Sequence, residues 1–406
     1  MTQDTEQDDL PEEDRALISS DAAPATLYGS AVGKPFAPWH HPVKQIVREQ
    51  QWAELTRKLI GERQFPSDIL RYFTLPGPDL FDIRVLSDVC VQSNIKIEYF
   101  GFLDGGASGE EDDDGSPRAP WASAEAALRQ SGRITANSEI AGDRLEDIAI
   151  ERSKARSSLN QRQTFDVINL DGCGYLAHQP KNRTVCTFDA LRALLAHQSK
   201  ATSPWLLFLT TRADAQMLGT PGAHLQNAIL QNLTDWPDSF GCQLAETMGW
   251  PFDTVASSIT TAWSSSGMSF MQIFTLGVSK FLLKHFHQQR ELQADVRLKS
   301  SYVYRVKGED VDMAALAFLI SPDPAPPPTR VAGGGAPQTN PEPGRACSIV
   351  RRIGRVWNID EAIQNDSDLK ARAVSGTEAL LKIRNYDIVL WREWVTGHEI
   401  RPLPIS

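Results

Sequence analysis

Residues 164–174 read TFDVINLDGCG. The run is apolar at Phe165, Val167, Ile168 and Leu170 and closes on Asp171, Gly172, Cys173 and Gly174. A strand covered on both faces of a parallel sheet has this near-continuous apolar character, and glycines at its carboxyl end let the chain turn. A second run, Trp205-Leu-Leu-Phe-Leu-Thr-Thr211, follows, and between the two Phe188, Leu191, Leu194 and Leu195 recur at helical spacing. The three pieces predict a strand–helix–strand unit. Ligands of open α/β sheets bind beyond the carboxyl ends of the strands, which puts Asp171 where chemistry is expected. The Asp-Gly dipeptide is also a common turn, so the acid has a purely structural reading as well.

Working toward the N-terminus, the same alternation repeats. Ile69–Leu75 reads as a strand, Pro76-Gly77-Pro78 as its turn, and Phe81, Val85, Leu86 and Val89 as one helix face. Ile95–Leu103 is the next predicted strand, ending at Asp104, and a helix over Trp121–Leu128 leads to a third strand over Ile134–Ile140. Asp143 follows it, either at the same sheet edge as Asp104 and Asp171 or as a helix N-cap. A strand, a glycine-containing turn, a helix, a strand and an acid, in that order, can hold a nucleoside. Ahead of all this, His41, Lys44 and Arg48 fall one turn apart on a helix that begins at Pro42. They form either a solvated basic face or a cationic helix beside the ligand cleft.

Working toward the C-terminus, residues about 213–298 are helical in pattern, with breaks at Pro221, Pro237 and Pro251, and read as a helical insertion. Ser301–Val306 and Met313–Ile320 read as a hairpin around Gly308-Glu-Asp310. Residues 321–344 form a Pro/Gly linker, and 345–406 a small accessory module whose start is basic at Arg351, Arg352 and Arg355. Those arginines are either a solvated face or a nucleic-acid contact. Residues 1–35 are acidic, lack periodicity and are expected to be disordered, and 105–118 are an acidic, glycine-rich surface loop.

Composition narrows the classes. The 406 residues, 41% of them hydrophobic, can bury a sizeable core. A net charge of -10 excludes a generally basic surface, so nucleic acid would have to bind through a local patch. Five cysteines without a CxxC pair point to reduced thiols in a cytoplasm. The acidic start does not read as a secretory signal, and Phe270–Phe286, carrying Lys280 and Lys284, is too short and polar to span a membrane. No metal site is expected.

In element order, residues 42–320 resemble the class I S-adenosylmethionine-dependent methyltransferases, predicting a Rossmann-like seven-stranded sheet. Phe165–Gly174 is similar to the strand and Asp-Pro-Phe-Gly loop of tRNA guanine N2-dimethyltransferases, and the bacterial three-Cys-motif partner proteins share a related form. The resemblance implies S-adenosylmethionine as cofactor. It places Pro76 and Gly77 at the methionine end, Asp104 at the ribose, Asp143 near the adenine amine and Asp171 beside the transferred methyl. Tyr175 could stack on a planar base, Cys173 could act as a nucleophile and His178 as a base. The first loop keeps one glycine where relatives have several, and the fourth motif lacks its proline. Two functions follow: a methyltransferase acting on a nucleobase or other planar amine, in nucleic acid or free, or a catalytically inactive methyltransferase-like subunit of a bacterial, defence-related complex with a protein partner. A nicotinamide-dependent oxidoreductase is disfavoured, because Gly77 alone cannot supply a three-glycine dinucleotide turn.

Overall fold

Every residue from Trp205 to Thr211 is buried, as a strand covered on both faces must be. This strand lies in the middle of the sheet in the computed structural model, which describes residues 35–63, 68–103, 119–178, 183–287, 293–306, 309–322 and 342–397. The strands are β1 (Ile69–Thr74), β2 (Lys96–Leu103), β3 (Glu139–Arg144), β4 (Val167–Tyr175), β5 (Trp205–Arg212), β6 (Ala294–Tyr304), β7 (Met313–Pro322) and β8 (Trp357–Asn358). They form one sheet in the order β3-β2-β1-β4-β5-β7-β6-β8. β1 to β5 run parallel, and β7 is antiparallel to both β5 and β6. This is a Rossmann-like sheet, parallel over β1 to β5 with a reversed β7, and β8 beside β6 makes it eight-stranded where seven strands are expected.

Side chains alternate across the sheet with a period of two, and each face has its own core. Leu70, Tyr72, Val167, Phe208 and Ala315 face a layer that contains the helices Pro42–Ile46, Glu54–Glu62, Phe81–Val91 and Ala119–Gln130. Phe73, Phe100, Ile168, Leu207 and Leu316 face the Thr187–Gln198 helix and the insertion. Among the described residues the insertion runs through helices Thr220–Asp235, Cys242–Met248, Val255–Trp263 and Met268–His287. Its predicted breaks become helix starts. Pro221 sits in a first turn, and Pro237 opens a π-helical turn. Lys280, buried in the last of these helices, is neutralised by Glu342.

Residues 342–397, the described part of the C-terminal module, straddle the far sheet edge. The Glu342–Ile353 helix packs Ala346, Ile349 and Val350 into one core, while Ile359, Leu369, Leu381 and Trp391 enter the other. β8 pairs with β6 at Tyr302 and Val303, and the Trp391 indole donates to the His40 carbonyl at 3.0 Å.

Three strand boundaries differ from expectation, the first being β6, which begins at Ala294, inside the span read as a helical insertion to about 298, and not at Ser301. β3 begins at Glu139, and Ile134 makes only an isolated bridge to Ile97. Arg129 explains the gap, since its guanidinium takes the Thr135 and Ser138 carbonyls that a ladder would use. β4 does not turn at Asp171 but continues to Tyr175. Asp171 pairs with Thr210 and Tyr175 with Arg212, so extra residues around Gly172–Gly174 are taken up in a bulge. The Gly308 turn, residues 1–34, the whole of 105–118 and most of the linker lie outside the described residues.

Candidate functional site

β1 and β4 are neighbours, yet the helix after β1 packs on one face of the sheet and the helix after β4 on the other. That reversal opens a crevice at their carboxyl ends. Thr74 pairs with Asn169, so Pro76 and Asp171 each lie two residues beyond the last paired row. The Pro76 ring lies down over β2: a Cβ added to Gly101 would come within 2.9 Å of its Cδ. The Pro76 carbonyl accepts from the Trp121 indole at 3.2 Å. Gly77 is exposed, with nothing within 4 Å of where a side chain would stand. The turn closes through Leu80, a buried residue held at φ 53°. A branched residue in the left-handed region is strained, and such strain persists only where surrounding packing fixes it.

Period two puts Val167, Asn169 and Asp171 on the same face as Tyr72 and Thr74. On that face Asp171 is ion-paired with the buried Lys44, whose ammonium also lies 4.9 Å from the Trp52 ring centre. Arg48, one turn on and buried, donates to the Trp39 carbonyl at 2.8 Å. Burial lowers its pKa against the opposing pull of Asp171 and Asp82. Lys44 and Arg48 are therefore not a solvated basic face, while His41 turns toward Trp394. Beneath it, Asp82 accepts from Tyr72 Oη at 2.8 Å and Thr74 Oγ1 at 2.5 Å, and the Asn169 amide donates to Tyr72 Oη at 3.0 Å. Burial pushes the Asp82 carboxyl up in spite of these donors. Asn169 Oδ1, Thr210 Oγ1, Gln51 Oε1 and Arg48 Nε are buried without a hydrogen-bond partner in the protein. Buried polar atoms are rarely left so; of these, Asn169 lies two residues before Asp171 on the same face and Thr210 is the β5 partner of Asp171. Arg48 and Gln51 lie in a π-helical stretch, Val47–Ala53, a distortion frequent at functional sites.

A second carboxylate fixes the outer wall of the turn. Asp79 accepts from Arg384 Nε at 2.9 Å and Tyr386 Oη at 2.7 Å and faces His40 Nε2 at 3.5 Å. Burial alone would raise its pKa, but the bonds from His40, Arg384 and Tyr386 outweigh it and hold the carboxyl at about 2.

The sequence-predicted residues divide as follows. Pro76, Gly77 and Asp171 lie at the crevice. Asp143 lies within β3, half-buried in the register shift between Phe102 and Leu103 of β2, with two strands between it and the strand of Asp171. Asp104 lies outside the described residues. Tyr175 lies beyond the bulge with the Arg212 guanidinium 5.0 Å from its ring centre, so one face already carries a cation. His178 sits 6.3 Å from that ring. Asn169, Tyr72, Thr74, Asp79 and Asp82 were not anticipated. The first three were findable, because alternation aligns them with Asp171. Among the described residues no group of histidines, cysteines and carboxylates could hold a metal ion, and no helix is long and apolar enough to cross a membrane.

A sequence family described as PP_RS20740-like matches residues 34–396. No curated protein matches the chain. Among solved structures, a Listeria monocytogenes crystal structure described as a class I S-adenosylmethionine-dependent methyltransferase superimposes with a TM-score of 0.33 at 9% identity. The match covers 79% of this chain and 74% of that one.

Proposed function

The chain belongs to the PP_RS20740-like family, and we propose that it is an S-adenosylmethionine-dependent methyltransferase acting on a planar amine such as a nucleobase. The observation that carries this reading is the strand order, with the reversed β7 and the crevice between β1 and β4 that follows from it. The residues present fit the cofactor. Gly77 leaves open space over the turn, and Asn169 and Thr210, beside Asp171, each hold an unpartnered polar atom. Pro76 and Gly77 would hold the methionine end, with Asp104 at the ribose and Asp143 at the adenine. When bound, the cofactor supplies an activated methyl group on a sulfonium.

The protein's own part is positioning. Asp171 accepts a hydrogen bond from the target amine and aims its lone pair into the crevice. Lys44, beside Asp171, repels a protonated amine and so favours the neutral, nucleophilic form. Arg48, unable to shed its charge, adds to the same field. Tyr175 offers its remaining face to a planar ring. Isothermal calorimetry tests the reading. S-adenosylmethionine and S-adenosylhomocysteine are expected to bind, and Gly77→Val, which fills the open space, to weaken both by about tenfold, some 1.4 kcal/mol. Absence of heat at millimolar ligand would sink the proposal.

One observation favours a second reading, a catalytically inactive subunit of a bacterial complex. The acid that would receive the amine is already engaged by Lys44. Silence toward the cofactor, together with a stoichiometric partner retained by Asp171→Ala, would select it.

A further inference from the structure

Away from the crevice, the sheet edge at β6 and the Glu342–Ile353 helix enclose a groove of 460 Å³, lined by Lys299, Ser300, Tyr302, Arg351, Arg352 and Arg355 among others, with no carboxylate in its lining. In a chain of net charge -10, four cations around one recess are a local inversion of the surface field. Arg351 and Arg352 have an ordinary role as basic residues in the last turn of a helix, opposing its dipole. That role does not extend to Lys299, on the strand, or to Arg355, past the helix end. Neither of those two side chains has a partner among the described residues. Arg351 and Arg352 are bonded only to neutral acceptors, Gln243 Oε1 at 2.8 Å and the Lys299 carbonyl at 3.4 Å.

We infer that this groove is a binding site for the phosphodiester backbone of single-stranded nucleic acid. Guanidinium, ammonium and hydroxyl groups together make the usual phosphate contact set, and the lining supplies all three. Tyr302 also lines the groove; its ring packs against Trp357, with ring centres 5.0 Å apart, and its hydroxyl donates to the Gln50 carbonyl at 3.4 Å. An extended peptide added to the β6 edge fits less well. The strand bulges between Leu298 and Ser300, and Arg352 caps the Lys299 carbonyl that such a peptide would need. The recess is the size of one bound small molecule, too narrow for a duplex to enter. Tyr302 also stands in the same row of the sheet as Asp171, through Ala315 and Thr210. Three strand spacings, about 14 Å, separate them. Ala315 and Thr210 are buried, so the protein interior lies along that row and the groove is a surface separate from the crevice.

The test is fluorescence anisotropy of the full chain, without cofactor, against labelled twelve-nucleotide oligo-U and oligo-dT and a duplex of the same length. Binding to the single strands is expected at 20 mM salt, weakening on salt addition with a logarithmic slope near -2, as for about three neutralised phosphates. Arg351→Gln/Arg355→Gln should lose about tenfold in affinity and flatten the slope by roughly one to two. Arg57→Gln, at an exposed ion pair elsewhere, should change nothing. Lys299→Gln is the independent single variant should the double variant melt early. No binding by the parent chain, unchanged binding in the groove variants, equal preference for the duplex, or equal competition by pyrophosphate or polyglutamate would each overturn the inference. Because cofactor is absent from this assay, its failure and a failed calorimetric titration are separate results.

Discussion

Replacing Asp79 by Asn probes a carboxylate that joins the β1 turn to the C-terminal helices. The side chain is 5% exposed and has three donors facing it, from Arg384, Tyr386 and His40. Burial works against the charge, and the donors overcome it, lowering the pKa from 3.8 to about 2. That displacement corresponds to about 2 kcal/mol of folding stability. Asn keeps the shape and one acceptor oxygen but removes the negative charge that faces the Arg384 guanidinium. The sign is fixed by the direction. A depressed carboxyl contributes above its unfolded pKa of 3.8 and loses that contribution as pH falls through about 2. The gap between parent and variant should thus be full at pH 7 and about half as large near pH 3.

Urea unfolding at pH 7, 5, 4 and 3 measures this through the midpoint, with the denaturant slope checked for constancy. A gap below about 0.5 kcal/mol at pH 7 would refute the reasoning, since a surface-like pair would then describe the site. A gap of constant size down to pH 3 would refute it differently, by showing that the amide substitution acts through packing and not through charge.

Gly101→Ala should push the Pro76 ring off β2, because the new methyl meets a rigid ring at 2.9 Å. A loss of about 1–3 kcal/mol is expected, and thermal melts together with the calorimetric titration would show whether cofactor affinity falls with it. Asp360→Asn should do the opposite of Asp79→Asn. Burial, aided by Asp312 and Glu361, raises the Asp360 carboxyl to about 6 despite the bond it accepts from the Arg305 N–H at 2.7 Å. A raised carboxyl stabilises most below pH 3.8, and that contribution is lost as pH climbs to about 6, so the amide should gain up to about 3 kcal/mol at pH 7.5 and only about 0.5 kcal/mol at pH 4. Melting curves at those two values decide it.

The sheet was readable because its information is local. Each buried strand carries its own apolar run, each turn its own glycine or proline, and the order of elements then leaves few topologies open. The site was readable only where the same local rule reached it, as when alternation along Leu70–Thr74 and Val167–Asp171 sends Tyr72, Thr74, Asn169 and Asp171 to one face. Lys44 and Arg48 could be seen to share a helix face. Their burial depends on a carboxylate far along the chain, on a strand whose orientation had first to be known. Asp79 was missed for a stronger form of the same reason, since its donors Arg384 and Tyr386 come from the other end of the protein. The bulge at Gly172–Gly174 was misread because glycine permits both a turn and a bulge, and only the pairing of Tyr175 with Arg212 distinguishes them. The turn that would receive the cofactor is thus shaped from two directions. Gly101 below it sets how far Pro76 can descend, and the C-terminal helices hold Asp79 from above. A strained Leu80 between these two restraints is what such a clamp requires, because an unrestrained loop would relax a left-handed leucine at once.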